Sequence, residues 1–222
     1  MLISSFSVNT LEDLPNTRDV ESQKQCPEIV TNLFLSSVVE AENLSLLQKK
    51  KITHILNLTG TIKGQNEARY PNKFIQSFTY KHLMIPDEMD TNISQHFVEL
   101  HQFIKEGTIG KHKVLVHCEA GISRSSAVVI SYLMKEHSLN LKDAYIHVRS
   151  KKENIGPNQS FFQQLINYEE FLFNTHSYSM MEYLTDQLLT GAAAGFSKNA
   201  IQNALKKANM DINLAIANLF SF

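Results

Sequence analysis

From Glu28 onward the chain alternates short apolar clusters with longer amphipathic stretches. Ile29, Val30, Leu33, Phe34 and Leu35 make a strand-like cluster. Val38, Leu44 and Leu47 are spaced for one buried face of a helix over about 37–50, which Lys49, Lys50 and Lys51 close as a solvated end. Ile52–Leu58 is a short apolar strand, 64–73 a polar loop with Pro71, and Phe74–Ile85 an extended run. Asn92 predicts the N-cap of a helix to about Ile104, with Ile93, Phe97, Leu100 and Ile104 facing inward and Gly107 and Gly110 ending it. Val114, Leu115 and Val116 form a continuous apolar run, the pattern of a strand covered on both faces. Helices follow over Ser125–His137, Leu141–Ser150 and Gln159–Phe173. Strands alternating with helices predict an α/β fold, a mainly parallel sheet flanked by helices. Residues 1–25 are polar and read as an N-terminal extension, 26–175 as the main domain, the polar tract 174–179 as a linker, and 180–222 as a small helical unit.

Composition narrows the function classes. The 222 residues are 43% apolar and 19% charged, enough to bury a sizeable core. A formal charge of −1 argues against a binder of nucleic acid through its phosphate backbone. No apolar run approaches the ~20 residues that span a bilayer, and no basic stretch suggests a membrane anchor. Two cysteines, Cys26 and Cys118, build neither a disulfide framework nor a Cys-rich zinc site. With no signal-peptide pattern at the start, the expectation is a soluble chain of the cytoplasm, the nucleus or both.

The chemistry concentrates at Val114-Leu-Val-His117-Cys118-Glu119-Ala120-Gly121-Ile122-Ser123-Arg124-Ser125. A buried strand enters a short loop and then a helix, so backbone N–H groups and a positive helix end converge there. Five residues between Cys118 and Arg124 can curl around a tetrahedral dianion. The thiol then lies under phosphorus and the guanidinium clamps two oxygens. Gly121 lets the backbone bend inward. Amides, helix terminus and Arg124 all favour the thiolate form of Cys118, a nucleophile that needs no metal. No metal or cofactor is expected.

His117-Cys118-x5-Arg124-Ser125 resembles the catalytic motif of cysteine-dependent protein phosphatases. Its Ala120-Gly121-Ile122-Ser123-Arg124-Ser125 form is similar to the dual-specificity branch. The likeness extends over about 27–175, through Asn32–Ser36, Ile52–Leu58, Asp87 and Gly156–Tyr168. The resemblance implies that Cys118 attacks phosphorus and that Arg124, with the amides of Glu119, Ala120, Gly121, Ile122 and Ser123, binds the phosphoryl oxygens. It further implies that Ser125 helps the sulfur leave, that His117 orients the loop and supports the thiolate, and that Asn158 braces the phosphate loop. The family's acid lies about 30 residues upstream. Asp87 sits 31 residues before Cys118 and six before Ile93, which selects it over Asp90. The implied substrates are phosphotyrosine and phosphoserine or phosphothreonine in proteins. The phosphate loop lacks the basic residues usual in relatives that act on lipid phosphates. Cys26 reads as an inert thiol, and the loop with Glu67 and Arg69 as a candidate wall of the cleft.

A second resemblance lies near the C-terminus. Gly195-Phe196-Ser197, Ala204-Leu205, Asp211-Ile212, Ala215-Ile216 and Leu219-Phe220 are similar to a ubiquitin-associated (UBA) domain. This implies a three-helix bundle over Glu182–Leu189, Lys198–Ala208 and Ile212–Phe220, with ubiquitin as partner and Gly195, Phe196, Leu219 and Phe220 as contacts. The usual Met-Gly-Phe loop reads Ala194-Gly195-Phe196 here, which removes contact area. Two other function classes stand beside the enzyme: a non-catalytic adaptor that binds phosphoproteins or ubiquitin, and a phosphatase acting on a non-protein phosphate.

Overall fold

A computed structural model describes residues 26–221; the N-terminal extension expected over 1–25 lies outside them. Five strands form one sheet in the order β1-β2-β5-β3-β4. These are β1 Glu28–Val30, β2 Leu33–Ser36, β3 His54–Asn57, β4 Thr79–His82 and β5 Val114–His117. The four strands from β2 to β4 pair in parallel, and β1 folds back antiparallel on the edge. The apolar cluster at 29–35 is therefore a hairpin and not one strand: Asn32 turns it at φ +67°, a conformation Asn tolerates better than most residues. Central β5 is fully buried along its length, which explains its unbroken Val-Leu-Val.

The expected helix over 37–50 is two. Short α1 (Val38–Ala41) stops, and Asn43 caps a new α2 (Leu44–Lys50) by accepting from Leu46 N–H at 3.0 Å. Asn92 heads a 3₁₀ turn, Ser94–His96, before α3 (Phe97–Gly107), and only Thr79–His82 of the expected extended run joins the sheet. α4 (Arg124–Glu136), α5 (Leu141–Lys151) and α6 (Gln159–Phe173) complete the layers. α4 is buried at every residue from Arg124 to Met134.

Three more helices, α7 (Met180–Thr190), α8 (Lys198–Lys207) and α9 (Ile212–Phe220), follow and pack on one another. The tract expected as a linker is a built joint. Tyr178 is 2% exposed, its ring meeting those of Tyr145, Phe162 and Tyr183. Ser177 ties back through N–H (2.8 Å) and hydroxyl (2.5 Å) to the buried carboxylate of Glu169. One continuous apolar cluster runs from Ile29 through the sheet to Leu219.

Candidate active site

β5 ends at His117 in register with Ser36 of β2 and Asn57 of β3, so the next residues emerge from the middle of the sheet. Open parallel sheets bind ligands at this edge, beyond the strands' carboxyl ends. The loop Cys118–Ser123 curls against α1, with Val38 N–H donating to the Glu119 carbonyl at 3.1 Å. Gly121 takes φ +70°, and a Cβ on it would meet the Ser36 carbonyl at 2.6 Å and Ser37 N at 2.8 Å. Both the conformation and the space demand glycine. α4 then begins with a free positive end: Ser123 stands at its N-cap without capping it. The Ser123 hydroxyl is used elsewhere, donating to Asp87 Oδ1 at 2.7 Å.

Cys118 is buried (1% exposed), with Ser125 Oγ 3.2 Å from its sulfur. Arg124 folds back over the loop. Its Nη1 donates to the Ile85 carbonyl at 3.1 Å and the Leu58 carbonyl at 3.4 Å, which locks the guanidinium plane. Its Nε lies 3.4 Å from Asp87 Oδ2, and its Nη2 lies 3.9 Å from Glu119 Oε2. Nε is buried and makes no hydrogen bond. An unsatisfied buried guanidinium N–H is costly, and the Nε–Nη2 edge of a guanidinium has the geometry to hold two oxygens of one anion.

Asp87 is brought to this edge, and Asn158 with it: Asn158 Nδ2 donates to Asp87 Oδ1 at 2.9 Å, and Asn158 N–H donates to Ser123 Oγ at 3.1 Å. Asp90, the alternative acid, is exposed on the turn beyond. His117 is 2% exposed and its Nδ1 faces the Cys118 carbonyl at 3.4 Å, so that nitrogen carries the proton. Burial pushes its pKa down to about 4. At neutral pH it is therefore a neutral ring beside the loop and adds no positive charge near the sulfur.

The loop with Arg69, expected as a candidate wall of the cleft, also reaches the site. Glu119 accepts from Tyr70 OH at 3.3 Å and lies 3.5 Å from Arg69 Nη2. The polar loop after β3 is thereby pinned to the phosphate loop. Lys152 is 8% exposed; burial lowers its pKa, and the nearby Glu40 carboxylate works against that shift. In the sequence it follows Lys151 and looks like a solvated helix end, and no local signal marks it. Cys26 lies under Phe34 and Leu115, and burial pushes its thiol up to about 12, so it stays protonated. Among the described residues no cluster of three His, Cys, Asp or Glu could hold a metal. No helix there is long and apolar enough to cross a membrane.

A cavity of about 540 Å³ flanks the loop, between Ile122, Gly156 and Asn158 on one side and Tyr183, Gln187 and Ile212 on the other. Further along the C-terminal helices, Phe196 and Phe220 meet edge to face at 5.0 Å, beside an open Gly195. Phe220 is 60% exposed. Leu219 is 5% exposed and belongs to the core, because the stripe it completes with Ala215 faces α8. Of the four residues expected to contact ubiquitin, Leu219 therefore does not present its side chain.

The family model for the dual specificity phosphatase catalytic domain matches residues 33–171, from β2 through nearly all of α6. The chain belongs to this family. Human dual specificity protein phosphatase 7 is 42% identical to this chain over 147 residues, 65% of this chain and 33% of that protein. The Xenopus laevis protein phosphatase Slingshot homolog is 39% identical over 145 residues, 65% of this chain and 20% of that one. The chain thus matches a third or less of the length of these relatives. Among solved structures, human tyrosine phosphatase-like serine/threonine/tyrosine-interacting protein superposes with a TM-score of 0.61 at 37% identity, over 67% of this chain and 97% of its own. Helices α7–α9 lie beyond the matched segment.

Proposed function

We propose that the chain is an active protein phosphatase that hydrolyses phosphotyrosine and phosphoserine or phosphothreonine through a phosphocysteine intermediate. The observation that carries this reading is the buried Arg124 Nε, which makes no hydrogen bond of its own and faces Asp87 across the loop that holds Cys118. Those atoms serve an anion with a reactive phosphorus better than they serve the fold. The Cys118 thiolate attacks phosphorus and the P–O bond breaks. Its electron pair goes to the leaving oxygen, which Asp87 protonates. The Nε–Nη2 fork of Arg124, the loop amides and the end of α4 hold the three equatorial oxygens where charge gathers. Water then attacks phosphorus, Asp87 takes its proton, and the S–P bond breaks with the pair returning to sulfur. The Ser125 hydroxyl, 3.2 Å away, donates to that sulfur as it leaves.

Turnover of para-nitrophenyl phosphate and of phosphotyrosine and phosphothreonine peptides by the full chain tests the reading. Cys118→Ser abolishes it, and Asp87→Ala lowers turnover far more for phenyl phosphate than for para-nitrophenyl phosphate. A wild-type chain that binds these peptides without releasing phosphate establishes the second reading, a phosphoprotein adaptor. The solved relative described as phosphatase-like and interacting gives that reading its support.

The C-terminal helices carry a finer proposal, a UBA-like unit that binds ubiquitin. The order of three short helices, the Gly195–Phe196 loop and the exposed Phe220 beside Phe196 support it. The contact set is then Gly195, Phe196 and Phe220. Titration of the labelled full chain with ubiquitin should shift resonances at these residues, and Phe220→Ala should remove the shifts. Wild-type spectra that do not move reject it.

A further inference from the structure

Asn158 orients the Asp87 carboxylate, and two contacts from beyond the matched family segment bracket Asn158. Tyr183, on α7 and twelve residues past that segment, donates its hydroxyl to the Pro157 carbonyl at 2.5 Å. Its ring is 2% exposed and stacks on Phe162 with centroids 3.6 Å apart and planes at 7°. Burial pushes the phenol well above its usual range, so the hydroxyl stays a donor. On the other side Gln159 Nε2 donates to the Met210 carbonyl, between α8 and α9, at 3.2 Å. Asn158 is therefore held before and after by the C-terminal helices. Its Oδ1 accepts from Phe161 N–H at 2.9 Å, leaving Nδ2 pointed at Asp87. Asp87 itself rides on an exposed stretch between β4 and the 3₁₀ turn. Ser123, Asn158 and the facing Arg124 are what fix its direction.

We propose that Tyr183 is a positioning residue for the acid step, its hydroxyl fixing Pro157–Asn158 so that the Asp87 carboxyl meets the leaving oxygen. The helices appended to the phosphatase segment are in this view part of its catalytic frame. This rests on the phosphatase reading above. A group that orients an acid acts only where the acid is needed, which separates it from one that merely packs.

Tyr183→Phe removes the hydroxyl and keeps the ring on Phe162. In the full chain it should lower kcat about three- to tenfold for phenyl phosphate, a poor leaving group, a part of the 10²–10⁴ range of general acid catalysis. For para-nitrophenyl phosphate the loss should stay below about twofold. In an Asp87→Ala background the same change should have no further effect on phenyl phosphate, since the step it serves is gone. Leu184→Ala, on the same helix and fully buried, is the packing control. It lowers the melting temperature and moves both substrates alike. Equal losses on both substrates in Tyr183→Phe, an undiminished effect in the Asp87→Ala background, or the same split in Leu184→Ala would each overturn the proposal while leaving the phosphatase reading intact. A wild-type chain inactive on both substrates overturns the phosphatase reading itself.

Discussion

Gly121 limits the phosphate loop in two independent ways. Its φ of +70° lies where a side chain costs about 1–2 kcal/mol, and a Cβ would press on the Ser36 carbonyl at 2.6 Å. Gly121→Ala must therefore push the loop away from β2, taking the amides and Arg124 off the anion. Phosphatase activity should fall at least about 100-fold, the scale of losing a preorganised donor, with the melting temperature also lowered; a variant within a few-fold of wild type would contradict the account. Two histidines make a second prediction. His101 donates from Nε2 to Ser131 Oγ at 2.8 Å, since the serine proton goes to the Val128 carbonyl. Burial lowers both His101 and His117 to about 4. In the unfolded chain each titrates near 6.5, so between these values the unfolded state holds the extra proton. The stabilisation is complete above about 6.5 and is lost as pH falls toward 4, on the order of 3 kcal/mol per histidine. His101→Gln keeps a donor toward Ser131 without the titration, so its melting temperature should fall less steeply than wild type between pH 7 and 4. Parallel curves would remove His101 from the explanation. At this scale the sequence displayed Cys118, Gly121 and Arg124 because their spacing is itself the loop. The loop with Arg69 was legible only as a candidate wall of the cleft, and Lys152 was hidden because a lysine at a helix end looks solvated until the fold buries it.

Most elements were legible from periodicity because each buries one face or one stripe. α6 runs from Gln159 to Phe173 as its pattern indicates, with Asn158 capping it. The misreadings share a cause, which is that polar residues with a local backbone task resemble polar residues in solvent. Asn32 turns the β1–β2 hairpin, Asn43 restarts a helix, and Ser177 and Tyr178 form a joint where composition suggests a tether. Glu169 is the centre of that joint. Fully buried, it accepts from Leu141 N–H at 2.7 Å as well as from Ser177, tying the start of α5 to the entry into α7. Glu169→Ala leaves two backbone donors without a partner in a closed site, each costing ~1–3 kcal/mol. Urea unfolding should show a loss of about 2–5 kcal/mol at an unchanged slope. A loss under about 0.5 kcal/mol, the range of ordinary surface changes, would mean that water reaches the joint.

At the scale of the whole molecule, the aromatic group Tyr145, Phe162, Tyr178 and Tyr183 places the mechanical boundary after α7 and not at 174–179. α7 contributes Tyr183 and Leu184 to the buried cluster directly against α5 and α6, whereas at the far end of that cluster α8, its cap Ala208 and α9 bury as many alanines (Ala204, Ala208 and Ala215) as large side chains (Ile201, Leu205 and Leu219). Small residues let short helices approach closely but bring little apolar area, at roughly 25 cal/mol per Å², so that end of the molecule has the thinner core. Native-state hydrogen exchange reads this difference directly, because each amide reports the free energy of the opening that exposes it. Amides in the middle of α7 should exchange with those of α6 and α4, close to global unfolding, while those of α8 and α9 open at lower free energy. If α7 instead exchanges with α8 and α9, the three C-terminal helices form one separable body, and the packing of Tyr183 on Phe162 contributes little to holding the catalytic loops.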